Sequence, residues 1–548
     1  MLARPTCVFW LSAVLAAQQP PQRIELPVPV PFPVPRTVAL PAPVKAANQG
    51  KPATPTKPRV VELAPGLRLL ELRGNPFERG EIHGREFREE IRATVAKWQE
   101  DLRTRFKLEP AEFITRFRER TSFERAIKDW TPGLLDEVRG IAKGSGVDFA
   151  SVYAFQLVDE IWAQGDAIAA VAHKCTVVGV DRHGSSPALL GQNLDLPPLY
   201  HGTRLILRLV DEKKRVQAHV LTVPGLVGAL GLSSAGFGVG VNTLLQLRSR
   251  PDGLPVAFVV RGILAEKDWW DARQFLFRVH HASGQSYTLG GPDVVHTFEC
   301  SARRVTRVSN GPGLSRTWHT NLPLGSDDWT DELLGRAEKA GKPPRALLPE
   351  CPRLKVLDRR LAPVEGVIPA VDVEALCATL SSREDAKAPV CNPWTFATSV
   401  MVLRYPDPEL HLRAKPDQPF TVLRFPALPN PKSKKGKKAA PKPVAKPAPT
   451  DRAAALRAAL SKARAMGAPA LGAPAVRALL PVLDDVGEAV EEEEEAPPPV
   501  AKPVPAKKGP AAPAAKPAVD PKKAAASKPG GKSAKKPDPA AGRSRWGR

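Results

Sequence analysis

At His173-Lys174-Cys175-Thr176-Val177-Val178-Gly179-Val180-Asp181 the texture of the chain changes. Before it, from Arg79 to about residue 170, apolar residues recur at helical intervals. Phe87, Ile91, Val95 and Trp98 fall four, four and three apart, and Leu134, Leu135, Val138, Ile141 and Ala142 form a second stripe. After it come short β-rich segments: Thr176–Asp181, Ala188–Gln192, Arg204–Val210, Val216–Thr222 and Phe237–Val241, separated by Gly, Pro, Asp and Lys turns. Ahead of the helices, Leu67–Leu72 alternates apolar and polar residues and stops at Gly74-Asn75-Pro76. Pro255–Ala282 reads as helical. Strands return at Val294–Glu299, Arg303–Ser309 and Trp318–Thr320, a helix at Val371–Ser381, and the last strands at Thr398–Arg404, Leu410–Ala414 and Thr421–Phe425. This order predicts a layered α+β architecture.

The whole chain has 60 Pro against 4 Tyr and 3 Met, and outside that core the two ends are crowded with proline. Residues 1–17 place Arg4 before the apolar run Cys7–Ala17 and offer small residues near Val14-Leu15-Ala16. This is the pattern of an export signal, too short to span a bilayer, and it predicts an exported protein: periplasmic, envelope-bound or secreted. Residues 18–58 read as a linker, because Pro27 to Pro43 alternate with Val, Phe and Leu and favour extended polyproline backbone. Residues 59–427 are the predicted folded domain, helical to 174 and β-rich from 175. Over 428–548, Lys/Pro/Ala runs, the proline-broken Arg452–Val490 segment and Glu491–Glu495 contain no core-forming pattern, so a disordered tail is expected.

The formal charge of +23 divides unevenly. From Asn430 onward 25 Lys/Arg face 11 Asp/Glu, a net +14, leaving +9 for the rest of the chain. A basic tail suits an anionic polymer or membrane surface, and equally a solvated spacer; sequence-specific nucleic-acid binding is not expected. The six cysteines, Cys7, Cys175, Cys300, Cys351, Cys377 and Cys391, form no CxxC pair and no metal-ligand spacing, so no metal site is expected. In an exported protein Cys351, Cys377 and Cys391 are candidates for disulfide pairing.

Cys175-Thr176 entering a strand says little alone. Fifteen residues on, however, comes Leu190-Gly191-Gln192-Asn193-Leu194-Asp195, and far downstream Trp318-His319-Thr320-Asn321. With Gly74-Asn75-Pro76-Phe77-Glu78-Arg79-Gly80, His83-Gly84, Glu137-Val138-Arg139-Gly140-Ile141-Ala142-Lys143-Gly144, Ser234-Ala235-Gly236, Asn242 and Gly253-Leu254-Pro255, this ordered set resembles the acyl-coenzyme A:6-aminopenicillanate acyltransferase family of N-terminal-nucleophile hydrolases, the peptidase C45 type. The resemblance covers roughly residues 67 to 425.

It implies a four-layer αββα sandwich and self-cleavage of the Lys174–Cys175 bond. It further implies amide-bond chemistry on a small-molecule amide or acyl substrate through a thioester, with no metal or organic cofactor. By the same resemblance Cys175 is the nucleophile and its freed α-amine the base; Asp195 steadies that amine; Asn321 donates to the oxyanion; and Asn242 is a candidate for substrate binding. Gln192 and Asn193 are expected to order the backbone around Asp195. These roles meet a physical need. A thiol attacks as thiolate and needs a base in reach, and an α-amine with a pKa of about 8 suits proton transfer near neutrality.

Two positions depart from the family pattern. Lys174 stands where Gly usually precedes the cysteine, so slower cleavage or a need for the lysine is expected, because Gly relieves crowding in a twisted peptide. Gln156-Leu157-Val158-Asp159-Glu160 replaces Asn-x-Arg-x-Glu and lacks its Arg. Two rival readings come from other classes. One is a binding or scaffold protein acting through its basic tail; the other is a conventional Cys–His protease using His83 or His319.

Overall fold

The computed structural model describes residues 60–163, 175–310, 315–363, 370–387 and 389–428. The expected export signal, the proline-rich linker, Lys174 and the basic tail beyond Leu428 lie outside the described residues. The elements run β1 (Val60–Ala64), β2 (Leu67–Leu72), α1 (Pro76–Glu86), α2 (Arg88–Phe106), α3 (Pro110–Glu119), α4 (Phe123–Trp130), α5 (Pro132–Ser145), α6 (Phe149–Phe155) and α7 (Val158–Trp162). There follow β3 (Thr176–Val180), β4 (Ala188–Asp195), β5 (Arg204–Asp211), β6 (Val216–Thr222), β7 (Leu230–Ser233), β8 (Gly238–Thr243), α8 (Val256–Leu264) and α9 (Trp269–Arg278). The remainder is β9 (Gln285–Gly290), β10 (Val295–Cys300), β11 (Val305–Val308), β12 (Arg316–His319), α10 (Asp331–Ala340), α11 (Pro352–Leu361), α12 (Val373–Leu380), β13 (Thr395–Leu403), β14 (Glu409–Arg413) and β15 (Thr421–Arg424). Helices and sheets are mixed, as the α+β expectation required. Among the described residues no helix is long and apolar enough to cross a membrane.

The strands form a nine-stranded sheet, β1-β2-β5-β6-β7-β8-β9-β10-β11, and a six-stranded one, β12-β3-β4-β13-β14-β15. β2 and β5 pair in parallel, which the seven intervening helices allow, since a parallel pair needs a long crossover. Strands β3 and β4 contact β8 and β9; α8 packs on β7 and β8, α9 on β9, α11 on β12, and α12 on β4 and β13. β4 and β13 are buried along their whole length, so they read as near-continuous runs rather than alternating ones. The sequence pattern does not announce β7, β9, α10 or α11. In the first two, Gly and Ser dilute the apolar signal. In α11 the charges of Lys355, Asp358, Arg359 and Arg360 mask the buried Arg353, Val356, Leu357 and Leu361.

The motif Gly74-Asn75-Pro76-Phe77-Glu78 is a helix start. The Asn75 side chain accepts from the Glu78 amide at 3.0 Å, and the Glu78 carboxylate accepts from the Asn75 amide at 3.0 Å, a capping box with proline in the first turn. The glycines that follow let α1 and α5 touch backbone to backbone. A Cβ on Gly80 would lie 1.9 Å from the Glu137 carbonyl oxygen, and one on Gly140 2.1 Å from that of Phe77. The crossing leaves Glu137 1% exposed, where two guanidinium groups meet it. Arg261 of α8 donates at 2.6 and 2.9 Å, and Arg79 of α1 at 3.2 and 3.1 Å. Burial alone would raise this carboxyl, but the two arginines hold it at about 2.

Two more buried side chains fasten the helical segment to the β-rich part. Gln156 donates to the Gly225 carbonyl at 2.7 Å and accepts from the Val227 amide at 2.9 Å. Glu160 accepts from the Val256 amide at 3.0 Å and the Ser283 hydroxyl at 2.8 Å. Residues 156 and 160 therefore serve as clamps between the two parts. The expected disulfides are not formed: the five described cysteines are free thiols, and Cys391 instead accepts a contact from Arg413 at 3.7 Å.

Because a methyl group at residue 140 has no room, Gly140→Ala should destabilise the protein by about 2 kcal/mol or more. A urea melt reads this as a lower midpoint; an unchanged midpoint would contradict the backbone contact between α1 and α5.

Candidate active site around Cys175

The β3–β4 hairpin explains why residues twenty apart in sequence meet. Its register pairs Thr176 with Asn193, so Cys175, just before β3, lies level with the end of β4 where Asp195 sits. Cys175 is 5% exposed and its thiol reaches the Asp195 carbonyl oxygen at 3.8 Å. The Asp195 carboxylate accepts from the Asn392 side chain at 2.6 Å, just ahead of β13. Gln192 binds both the amide and the carbonyl of Val241, at 3.0 and 2.6 Å, and so ties β4 to β8. Asn193 donates to the Leu380 and Val390 carbonyls, each at 2.8 Å. Both side chains thus order the strand that presents Asp195.

Asn321 follows β12. Its amide nitrogen donates to the Thr243 carbonyl at 3.1 Å, and its oxygen accepts from Arg353 at 3.2 Å. That leaves one of the two side-chain N–H groups for another acceptor. Arg353, on α11, is, with Asn392, a residue that sequence reasoning missed. The guanidinium donates through one nitrogen to the Cys175 carbonyl at 2.6 Å and the Thr176 hydroxyl at 2.7 Å, and through the other to Asn321. A planar fork of this kind fixes the spacing of what it binds. The available signal was Pro352 at a helix start, followed by apolar residues at 356, 357 and 361.

A cavity of about 80 Å³ opens beside the thiol, lined by Cys175, Asp195, Asp159, Thr243, Trp162 and Tyr200 among leucines, valines and alanines. The Thr243 hydroxyl donates to the Asp159 carboxylate at 2.9 Å. Asn242, expected to touch substrate, is absent from this lining although Val241 and Thr243 belong to it. Strand alternation sends its side chain to the opposite face, where it is fully buried. Among the described residues no group of three or more His, Cys, Asp or Glu gathers to hold a metal.

Burial, reinforced by the Asp195 carboxylate, pushes the Cys175 thiol up to about 12, against the opposing pull of Arg353. Burial also raises Asp159 to about 6 and, together with Asp159, Glu160 to about 7. Neither histidine proposed as a base meets the sulfur. His83 accepts from the Gly225 amide at 3.1 Å and burial lowers it to about 4. The His319 ring is bonded to Glu299 at 2.8 Å and to the Thr320 carbonyl at 2.6 Å. Of the two candidate bases, therefore, neither His83 nor His319 is placed to take the proton of Cys175.

A buried thiol, a carboxylate and a carboxamide are thus gathered at the end of a β-hairpin in a two-sheet α+β fold. The family model described as "Acyl-coenzyme A:6-aminopenicillanic acid acyl-transferase" matches residues 182–330, a span that includes Asp195 and Asn321 and begins just after Cys175. Over those residues the chain is similar to that acyltransferase family. A relative, the "Acyl-coenzyme A:6-aminopenicillanic-acid-acyltransferase 40 kDa form" of Emericella nidulans, is 28% identical over 190 residues, 34% of this chain. The chain spans 50% of that relative's length. Among solved structures, a mutant conjugated bile acid hydrolase from Clostridium perfringens is 11% identical, with 46% of this chain and 96% of that one covered, at a TM-score of 0.27. So low a score carries no argument about fold or chemistry.

In the chain with the bond to Cys175 intact, alkylation of this thiol by iodoacetamide should be slow at neutral pH. Its rate should rise about tenfold per pH unit up to at least about pH 10, because only the thiolate reacts. A rate that levels off below about pH 8 would contradict the raised thiol.

Proposed function

We propose that this chain is a self-processing cysteine amide hydrolase, with Cys175 as an amino-terminal nucleophile. The observation that carries the proposal is the span of Arg353, which joins the Cys175 carbonyl to Asn321 while Asp195 lies beside a thiol that neither histidine reaches. A base supplied by the main chain of Cys175 itself suits a sulfur in this setting. In maturation the thiol attacks the carbonyl of residue 174, the peptide nitrogen leaves as the Cys175 α-amine, and water hydrolyses the resulting thioester. In turnover that amine takes the thiol proton as sulfur attacks the substrate amide, then gives it to the departing amine. Water hydrolyses the acyl-enzyme and regenerates the thiol. Asp195 holds the ammonium form, and the spare N–H of Asn321 donates to the tetrahedral oxyanion.

Hydrolysis is proposed over transfer because an exported protein does not meet coenzyme A thioesters. The mostly apolar lining of the cavity favours an apolar acyl group. Helices on β7, β8 and β9, helices on β4, β12 and β13, and the contact of β3 and β4 with β8 and β9 all support a four-layer αββα sandwich. Export and contact of the basic tail with an anionic surface remain part of the proposal, on composition alone.

Asp195→Asn, which keeps the size and removes the charge, should slow both maturation and turnover. Asn321→Ala should slow acylation by about a hundred-fold, the scale of one oxyanion donor. Steady-state rates of the folded variants check both, and near-normal values in the two together would sink the assignment.

A further inference from the structure

Beneath Asn321 lies a buried polar pair that the proposed reaction does not use. His319 and Glu299 are both fully buried and bonded at 2.8 Å. Glu299 belongs to β10 of the nine-stranded sheet and His319 to β12 of the six-stranded one, so the pair bridges the two. The other ring nitrogen of His319 meets the Thr320 carbonyl at 2.6 Å. Both ring nitrogens of His319 are thus engaged, one by a carboxylate and one by a main-chain carbonyl. Glu299 in turn accepts from the backbone amides of Leu324, Gly325 and Ser326. Although burial would raise it, these bonds and His319 hold its carboxyl below the usual range.

The Thr320 carbonyl belongs to the peptide bond that leads directly into Asn321. The contact of His319 with that oxygen sets the peptide plane from which the Asn321 side chain departs. The three amides captured by Glu299 set the other end of the same loop. Asn321 is then held between Thr243 and Arg353. Burying polar side chains costs free energy unless they are hydrogen-bonded, and an apolar pair would fill the same space. A buried pair whose four further bonds all go to the 320–326 backbone is spent on the placement of that loop.

We infer that His319 and Glu299 are positioning residues, which act through Asn321 to set the geometry of the oxyanion site. The inference rests on the proposed function and adds to it a pair that touches no substrate.

The test uses Glu299→Gln, which keeps the size but loses the charge, with butyryl-p-nitroanilide as probe. Mass spectrometry follows acylation of Cys175, and p-nitroaniline release gives kcat and KM per chain bearing a free Cys175 amino terminus. The expected result is a kcat lower by about a hundred-fold, the cost of misplacing a catalytic group by about 1 Å, with KM within about twofold. Glu299→Asp, which keeps the charge, should recover most of the rate. The double variant with Asn321→Ala should be no slower than Asn321→Ala alone, because the two act as one unit. A wild-type kcat in folded Glu299→Gln, or a double variant that loses the product of the two single effects, would overturn the inference. If Glu299→Gln does not fold, His319→Gln enters the same cycle with the same expectations. Failure of the probe to acylate wild-type Cys175 defeats the proposed function itself, whereas equal acylation of wild type and variant defeats only the positioning role.

Discussion

The sulfur of Cys175 is buried beside a carboxylate, and every other feature of the site answers to that constraint. Taking a thiolate out of water is costly, and the Asp195 negative charge adds to the cost, so the thiol is held well above its usual range. Arg353 offsets part of this, but it is committed to the Cys175 carbonyl, the Thr176 hydroxyl and Asn321. Such a nucleophile is inert until a base and a positive charge appear next to it. A free α-amine on the same residue would supply both at once, and Asp195 would then change from a burden on the thiol into a partner for the ammonium. The same carboxylate can thus suppress chemistry in the intact chain and support it afterwards.

The helical segment is built into the fold rather than laid over it. Gly80 and Gly140 bring α1 and α5 into backbone contact, Glu137 at that crossing holds Arg261 of α8, and Gln156 and Glu160 bind main-chain groups of the β-rich part. These contacts are buried and mostly charge-assisted, and a break in the chain between residues 163 and 175 removes none of them. The two pieces should stay together after cleavage, with Asp159 and Trp162 of α7 still lining the cavity beside the nucleophile.

Much of this was legible in the sequence because it rests on local rules. The change from helical to strand periodicity at Cys175 marks the boundary between the parts, and Leu190–Asp195 reads as a strand ending in polar residues, as β4 does. The glycines after Asn75-Pro76 and around residue 140 stood out as a pattern, but their purpose, the contact of two helices 60 residues apart, is tertiary and leaves no local trace. Arg353 and Asn392 were missed for the same reason: each reaches the site from a distant segment, and a lone Arg on a charged helix looks like a solvated one. Asn242, whose place in the family motif suggested substrate, lies outside the lining of the cavity that its strand neighbours Val241 and Thr243 join.

The central claim is that the reactive base is the amino group of Cys175 itself. Amino-terminal sequencing of the purified protein, with intact mass measured under denaturing conditions, tests it most directly. The account predicts two fragments, the second beginning at Cys175 with an unblocked amine. A single chain that runs unbroken through residues 174 and 175, yet turns over an amide substrate, would contradict it.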